Sequence, residues 1–215
     1  YTKHVFLGSE KNVTHDNIDG LFEIAKKYDA ILRMNMYRPT EGVNDFSEKF
    51  IISYDTFVDA LKYIAQKYHI ISMNDALFSS FLTNETVADP SGDRSIRILA
   101  DGSITPSTYL IDESYIVANI TEPNVLEKVE QNGSLANLIV KTIPDECKGC
   151  VYEQSCAGGV YDRRYLWYGT LDKKDPYCPG VFIERTKQPI EITATDFVSV
   201  HDGYLPTIFF KPRED

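Results

Sequence analysis

Along the first eighty residues the hydrophobic pattern switches back and forth between two periods. His4-Val5-Phe6-Leu7 is a short apolar run closed by the polar Gly8-Ser9-Glu10, which reads as a strand. Thr14 is suited to cap a helix, and Asp16 falls in its first turn, where the positive end of the helix dipole favours an acid. Ile18, Leu21, Phe22, Ala25 and Tyr28 then recur at helical spacing. From Ala30 the period becomes two. Ala30, Leu32, Met34 and Met36 share one face, Ile31, Arg33, Asn35 and Tyr37 the other, and Pro39 ends the strand. A polar loop over 40–49 leads to a second helix, with Ser53 as its cap, Asp55 in its first turn, and Phe57, Leu61, Ile64 and Tyr68 as its buried stripe. A strand over about Ile70 to Met73 follows. Strand, helix, strand, helix, strand predicts a parallel sheet covered by helices. Three strands are only part of a barrel or doubly wound sheet, so the rest is expected upstream.

The pattern changes near Phe81. Residues 83–94 are polar and rich in turn formers (Asp89-Pro90-Ser91-Gly92), which predicts a linker. Ser95 to Ala100, Asp101-Gly102 and Ser103 to Leu110 read as a hairpin, because Asp-Gly supplies the positive backbone angles of a tight turn. A short helix is expected over Pro123 to Gln131. A cysteine-bearing segment follows, and Ile190 to Phe210 reads as strands around Asp202-Gly203. The predicted division is therefore 1–82, a linker over 83–94, a small cysteine-rich α+β domain over 95–180, and a β extension over 181–215.

Composition narrows the function. No run approaches the roughly 18 to 20 apolar residues of a membrane span. Thirty-two acidic against 22 basic residues give a formal charge of −10, whereas a nucleic-acid surface needs clustered Lys and Arg. Neither membrane nor nucleic acid is expected as a partner. The chain begins at Tyr1 rather than Met, which reads as an excised fragment or a processed chain. His4, His15, His69 and His201 are scattered without ligand spacing and read as surface or core histidines.

All four cysteines, Cys147, Cys150, Cys156 and Cys178, lie in one stretch, and none precedes it. With no secretion signal, a reducing, cytoplasmic setting is expected, where clustered cysteines indicate metal or redox chemistry. Cys-x2-Cys lets two thiolates converge from one turn, eased by Gly149, while Gly158 and Gly159 allow backbone to approach a bulky ligand. Four thiolates suit a tetrahedral zinc or a [4Fe–4S] cluster, and spacing alone does not separate these from each other or from disulfides. Between Cys147 and Cys178 lie five basic and four acidic side chains, a less acidic setting than the chain as a whole. Tyr161, Tyr165, Trp167 and Tyr168 read as packing around a small metal domain, with cluster shielding or peptide contact as the alternative.

Cys147-Lys-Gly-Cys150-x5-Cys156-Ala-Gly-Gly-Val160, with Asp175-Pro-Tyr-Cys178 downstream, resembles the SPASM domain, the C-terminal auxiliary-cluster module of radical S-adenosylmethionine (SAM) enzymes that modify peptides and proteins. The hairpin Ile98-Leu-Ala-Asp-Gly102-x4-Ser107, followed by Asn119-Ile120, is similar to the module's opening. Upstream, Thr14-x-x-Asn17-Ile18 and Arg33-Met-Asn-Met-Tyr37-Arg-Pro39 resemble the later part of the radical SAM partial barrel. The resemblance implies an α/β fold: the C-terminal portion of a partial (β/α) barrel followed by a SPASM-like domain. The family's SPASM cysteines hold two clusters. Here Ser107 and Val160 stand where two ligands of the first are expected, and none lies upstream of Gly102, whereas the set for the second is complete. One [4Fe–4S] cluster is thus expected on Cys147, Cys150, Cys156 and Cys178, with zinc as an occupant in aerobic preparations.

Sulfatase-maturing members place a catalytic Asp right after the cysteine that is Ser107 here; position 108 is Thr, and Asp112 is too far along to replace it. The C-x3-C-x2-C motif that holds the SAM-cleaving cluster does not occur. The resemblance therefore implies that SAM, a second [4Fe–4S] cluster and the N-terminal radical SAM half belong to a complete enzyme that generates a 5′-deoxyadenosyl radical, abstracts hydrogen from a peptide or protein, and passes an electron through the auxiliary cluster. By the same resemblance Ser9, Arg33, Asn35 and Tyr37 are expected to face SAM or substrate. The rival expectation is a zinc-stabilised peptide-binding or scaffold module without redox activity.

Overall fold

The computed structural model describes residues 2–40, 42–83, 85, 87–89, 96–131, 143–180, 189–196 and 207–213. The element order begins β1 (Thr2–Gly8), α1 (His15–Lys27), β2 (Ala30–Met36), α2 (Tyr54–Lys67), β3 (His69–Met73) and α3 (Ala76–Leu82). Thr14 caps α1 by accepting from the Asn17 N–H, and Ser53 caps α2 by accepting from Thr56. Both acids expected in the first turns, Asp16 and Asp55, are there.

The main sheet departs from the all-parallel expectation. Its order is β1-β2-β7-β3, with β7 at Ile208–Lys211. β1 and β2 are parallel, but β7 runs antiparallel between β2 and β3, pairing Met34 with Ile208 and Ile70 with Phe210. The sheet is open, with no closed barrel among the described residues. The physical reason lies in β7 itself. Ile208 and Phe210 join the helix-side core of Leu32, Met34, Ile70 and Met73, while Phe209 packs with Ile31 and Ile71 on the opposite face. A strand apolar on both faces belongs at the centre of a sheet. Thus residues 208–211, within the stretch read as a C-terminal extension, fill the middle of the first sheet. The turn read at Asp202-Gly203, and His201, lie outside the described residues. The segment before them touches the far side of β3: the Thr193 N–H donates to the Ile70 carbonyl at 2.8 Å.

The helix-side core is contributed by Ile18, Phe22 and Ala25 of α1 and by Phe57, Leu61 and Ile64 of α2. On the surface, Asp19 of α1 accepts from Tyr63 (2.8 Å), Lys67 (2.5 Å) and Tyr68 (2.7 Å), cross-linking the two helices. These donors hold the Asp19 carboxyl down at about 2, the Lys67 ammonium contributing most, and burial aided by the carboxylate raises the Tyr68 phenol to about 12.

A second, three-stranded antiparallel sheet contains β4 (Arg97–Ile98), β5 (Ser103–Thr105) and β6 (Ala118–Asn119). The hairpin turns at Asp101-Gly102 as expected. Gly102 has φ +86°, and an added Cβ would stand 2.9 Å from Ile120. Its strands are far shorter than the sequence reading, because Pro106 and the buried Ser107 end β5. Helices α4 (Val125–Gln131), α5 (Glu153–Cys156) and α6 (Tyr161–Tyr168) follow. No described helix is long and apolar enough to cross a membrane.

The cysteine segment packs directly on the first part of the chain. Tyr152 meets Phe81 of α3 at a ring separation of 4.5 Å, and Tyr177 meets Phe78 at 6.2 Å. Residues 84, 86 and 90–94 of the predicted linker lie outside the described residues, but Asp89 within it is buried and accepts from the Tyr161 N–H at the start of α6.

Candidate functional site

Four local devices bring the cysteines round. A single 3₁₀ turn over Asp145–Cys147 and the following turn return the chain so that the Cys150 N–H donates to the Cys147 carbonyl at 3.1 Å. Glu153 reaches back from α5, its Oε2 accepting from the Gly149 N–H at 2.7 Å, which fixes that turn. Cys156 ends α5, and two glycines then reverse the chain. Gly159 has φ +86°, and an added Cβ there would come within 2.5 Å of Asp175 Oδ2. The Asp175 N–H donates to the Gly158 carbonyl (2.9 Å), and the Cys178 N–H to the Asp175 carbonyl (2.9 Å). This tie brings a residue distant in sequence beside the other three.

Cys147, Cys150, Cys156 and Cys178 consequently line one pocket, walled by Leu77, Phe81, Tyr152 and Gly158 and bordered by Glu153 and Lys174. All four are free thiols. Among the described residues no three His, Cys, Asp or Glu side chains stand together closely enough to hold a single metal ion. Burial pushes the Cys147 thiol up to about 11, aided by Cys178 and opposed by the Arg164 charge. It raises Cys156 further, with Asp175 adding to it, and Cys178 also lies above the ordinary thiol range. Such a pocket resists holding several thiolates by themselves and favours them only around a cation.

Two buried ionic clips lock this segment to the main sheet. Arg163, 1% exposed, is gripped by Asp75, the cap of α3, and by Asp175. Its Nη2 donates to Asp75 Oδ1 at 3.1 Å and to Asp175 Oδ2 at 2.7 Å, Nε donates to Asp175 Oδ2 at 3.0 Å, and Nη1 bonds Asp75 Oδ2. Despite complete burial, the two carboxylates hold its charge firmly on. In the second clip Asp162 accepts from Arg38 at 3.1 Å and from the Ser107 hydroxyl at 2.5 Å. Ser107 stands where the resemblance would place a cluster cysteine, and Val160, the other such position, is fully buried. A hydrogen-bonded serine and a packed valine thus occupy those two places.

The remaining candidates sit on the main sheet. Ser9 follows β1, buried, its N–H and hydroxyl both bonded to the Asn12 side chain. Tyr37 follows β2, its N–H donating to the Gly8 carbonyl at 2.8 Å and its ring lying 5.7 Å from Phe50. Both therefore lie at the carboxyl ends of the parallel pair. Arg33 is buried on the face shared with Ile31, and its Nε donates to Asn35 at 3.1 Å. His15 stacks on Tyr63 and pairs with Asp59, and His69 bonds Thr193; neither adjoins the cysteines. Of the aromatic group, Tyr161 is buried with Leu110, Tyr165 meets Tyr115, and Trp167 meets Tyr177 at 5.8 Å, so these three pack, while Tyr168 is half exposed. Sequence reasoning assigned no role to Asp75, Arg38 or Asp162; Arg38 lay in the 33–39 motif and Asp162 among the charges near the cysteines, but nothing in the sequence paired them.

No family model matches the chain, and no curated protein is a significant match. Solved structures do match. "Native anSMEcpe with bound AdoMet and Kp18Cys peptide" aligns with TM-score 0.56 and 16% identity over 81% of this chain and 51% of that one. "Native anSMEcpe with bound AdoMet" gives 0.55 and 15%, again over 81% and 51%, and the histidine-tagged form with bound AdoMet gives 0.55 and 16% over 82% and 52%. That protein is an anaerobic sulfatase-maturating radical SAM enzyme. The chain spans about half the length of these structures, and over the aligned part it shares their fold.

Proposed function

We propose that this chain is the C-terminal part of a radical SAM oxidoreductase that modifies a peptide or protein, and that Cys147, Cys150, Cys156 and Cys178 hold one auxiliary [4Fe–4S] cluster. The observation that carries the reading is the convergence of all four cysteines, the last brought in by the Asp175 tie, on one apolar-walled pocket. The donor set fits the group: four free thiols of the number and kind that a cubane takes, in one pocket walled chiefly by apolar side chains. When bound, the cluster supplies a one-electron donor or acceptor. The chain's own part is to fix the thiols, exclude water with Leu77, Phe81 and Tyr152, and keep the pocket rigid against the main sheet through Arg163.

The fold shared with a peptide-bound, AdoMet-bound enzyme supports the rest of the reading. The SAM-cleaving [4Fe–4S] cluster and the N-terminal radical SAM half that binds it are assigned to sequence outside these 215 residues, in keeping with the absence of C-x3-C-x2-C here. Ser9 and Tyr37, at strand carboxyl ends, and the Arg33–Asn35 pair are the groups offered to SAM or substrate; the crevice at such strand ends is where open α/β sheets bind ligands. The single cluster, rather than two, follows from Ser107 and Val160.

Anaerobic purification of the complete protein tests the assignment. Cys147→Ser and Cys178→Ser are each expected to remove about four iron per chain and the matching absorbance near about 400 nm. One zinc per chain in anaerobic protein, released by the same substitutions, would instead establish a zinc-bound module.

A further inference from the structure

Arg164 is fully buried, and two thirds of its guanidinium is accounted for by the loop that precedes Cys178. Nε donates to the Lys173 carbonyl at 2.6 Å, and Nη2 donates to the Leu171 carbonyl. Nη1 is buried and has no hydrogen-bond partner among the described residues. Its position is fixed by a neighbour: a Cβ added to Gly158, a wall of the cysteine pocket, would stand 3.2 Å from it. A buried cationic donor without an acceptor is costly, and native structures rarely leave one so.

Resting on the cluster reading above, the geometry points to Arg164 as the internal counter-charge of the group in the cysteine pocket, its Nη1 being the donor left over for that group when it is bound. A cubane bound by four thiolates is an anion. Hydrogen bonds to its sulfurs and nearby charge are among the features that set its potential. The other cation at the pocket, Lys174, is a weaker candidate. Its side chain is 29% exposed and sits 4.0 Å from Glu146, so water and a carboxylate screen it. Arg164 is closed off from water, with its guanidinium over the Tyr161 ring at 5.0 Å and the charges of Asp175 and Asp89 acting on it, and at that depth a charge acts strongly. It is therefore a positioning and tuning residue rather than a catalytic one. Reduction adds an electron to the cluster, and the Arg164 charge favours the reduced form.

The test uses the complete protein, reconstituted anaerobically with iron and sulfide, with the auxiliary signal identified as the one lost in Cys147→Ser. Redox titration followed by electron paramagnetic resonance is expected to show the midpoint of Arg164→Met displaced to lower potential. The expected displacement is at least about tenfold in the reduction equilibrium, ~59 mV for one electron. Arg164→Lys, which keeps the charge, is expected to stay closer to the parent. A role confined to tying Lys173 and Leu171 would alter iron content or stability without moving the potential. Because Arg164→Met also cuts those ties, a second measurement uses the unmutated protein grown with heavy-nitrogen arginine. A nitrogen hyperfine coupling on the reduced cluster is the expected result, and its absence overturns the inference. Iron retained with a potential within threefold of the parent overturns the Arg164 inference alone. Iron unaffected by Cys147→Ser overturns the cluster reading and this inference with it.

Discussion

Arg163→Met is expected to be among the most damaging single substitutions in the molecule. The guanidinium and both its partners are at least 96% buried by side chain. Asp75 and Asp175 would be left facing each other across the lost cation. Each keeps other bonds: Asp75 accepts from the Leu77 and Phe78 N–H groups, Asp175 from those of Val160 and Tyr177. Those bonds hold the carboxylates in place, so neither can turn to water. Removing one partner of a buried ionic group costs about 3–5 kcal/mol. For a domain near this size each kilocalorie moves the midpoint by roughly 2–4 °C, so thermal unfolding should fall by roughly 6–20 °C. Urea titration of parent and variant checks the free energy. The triple variant Arg163→Met/Asp75→Asn/Asp175→Asn, which removes the charges together, is expected to recover at least half of the loss. A single-variant loss below about 1 kcal/mol, or a triple variant no better than the single, would refute the argument that uncompensated burial sets the penalty.

Three further outcomes follow from other features. Gly159→Ala forces a side chain onto Asp175 at a positive φ, and is expected to cost about 3 kcal/mol and to lower iron retention, read by denaturation and iron assay. Ser107→Ala strips a hydrogen bond from the buried Asp162, and should cost about 1–3 kcal/mol in urea unfolding while leaving iron content unchanged. Asp19→Asn should destabilise at neutral pH, because a carboxyl depressed in the folded state contributes its stability above the ordinary carboxylate range and loses it as pH falls toward about 2. The gap between parent and Asp19→Asn should therefore close on acidification, and a gap independent of pH would show that charge is not its source.

The parts of the fold governed by neighbours in sequence were legible. Thr14 and Ser53 announce their helices because a cap bonds within three residues, and β2 declares itself through the apolar–polar alternation from Leu32 to Met36. Helix α3 was missed because all seven of its residues are buried, so no polar stripe marks a period; the signal on offer was Asp75 ahead of Ala76. The insertion of β7 was not legible because its partners, Leu32 and Ile70, lie far away in sequence, although Ile208-Phe209-Phe210 carries the mark of a strand buried on both faces. At the site, the cysteines together with the residues around them pointed to a common ligand, and the structure brings those side chains to one pocket. Arg163 and Asp162 entered the sequence reading merely as charges near the cysteines, and Asp175 as a charge and as a neighbour of Cys178 in its motif. Which of them would meet Asp75, Arg38 or Ser107 is a property of three-dimensional packing, and no local pattern encodes it.

The placement of β7 bears on how the protein is made. During synthesis β2 and β3 leave the ribosome well before Ile208, with all of residues 74 to 207 translated in between. Until then Leu32 and Ile70 have no strand between them, and two rows of backbone amides and carbonyls stand open to mispairing or chaperone capture. A nascent chain stalled before residue 208, or one clipped there by a protease, would lack the central staple of its sheet. Its first three strands would be expected to remain susceptible to digestion even with the cysteine segment fully translated.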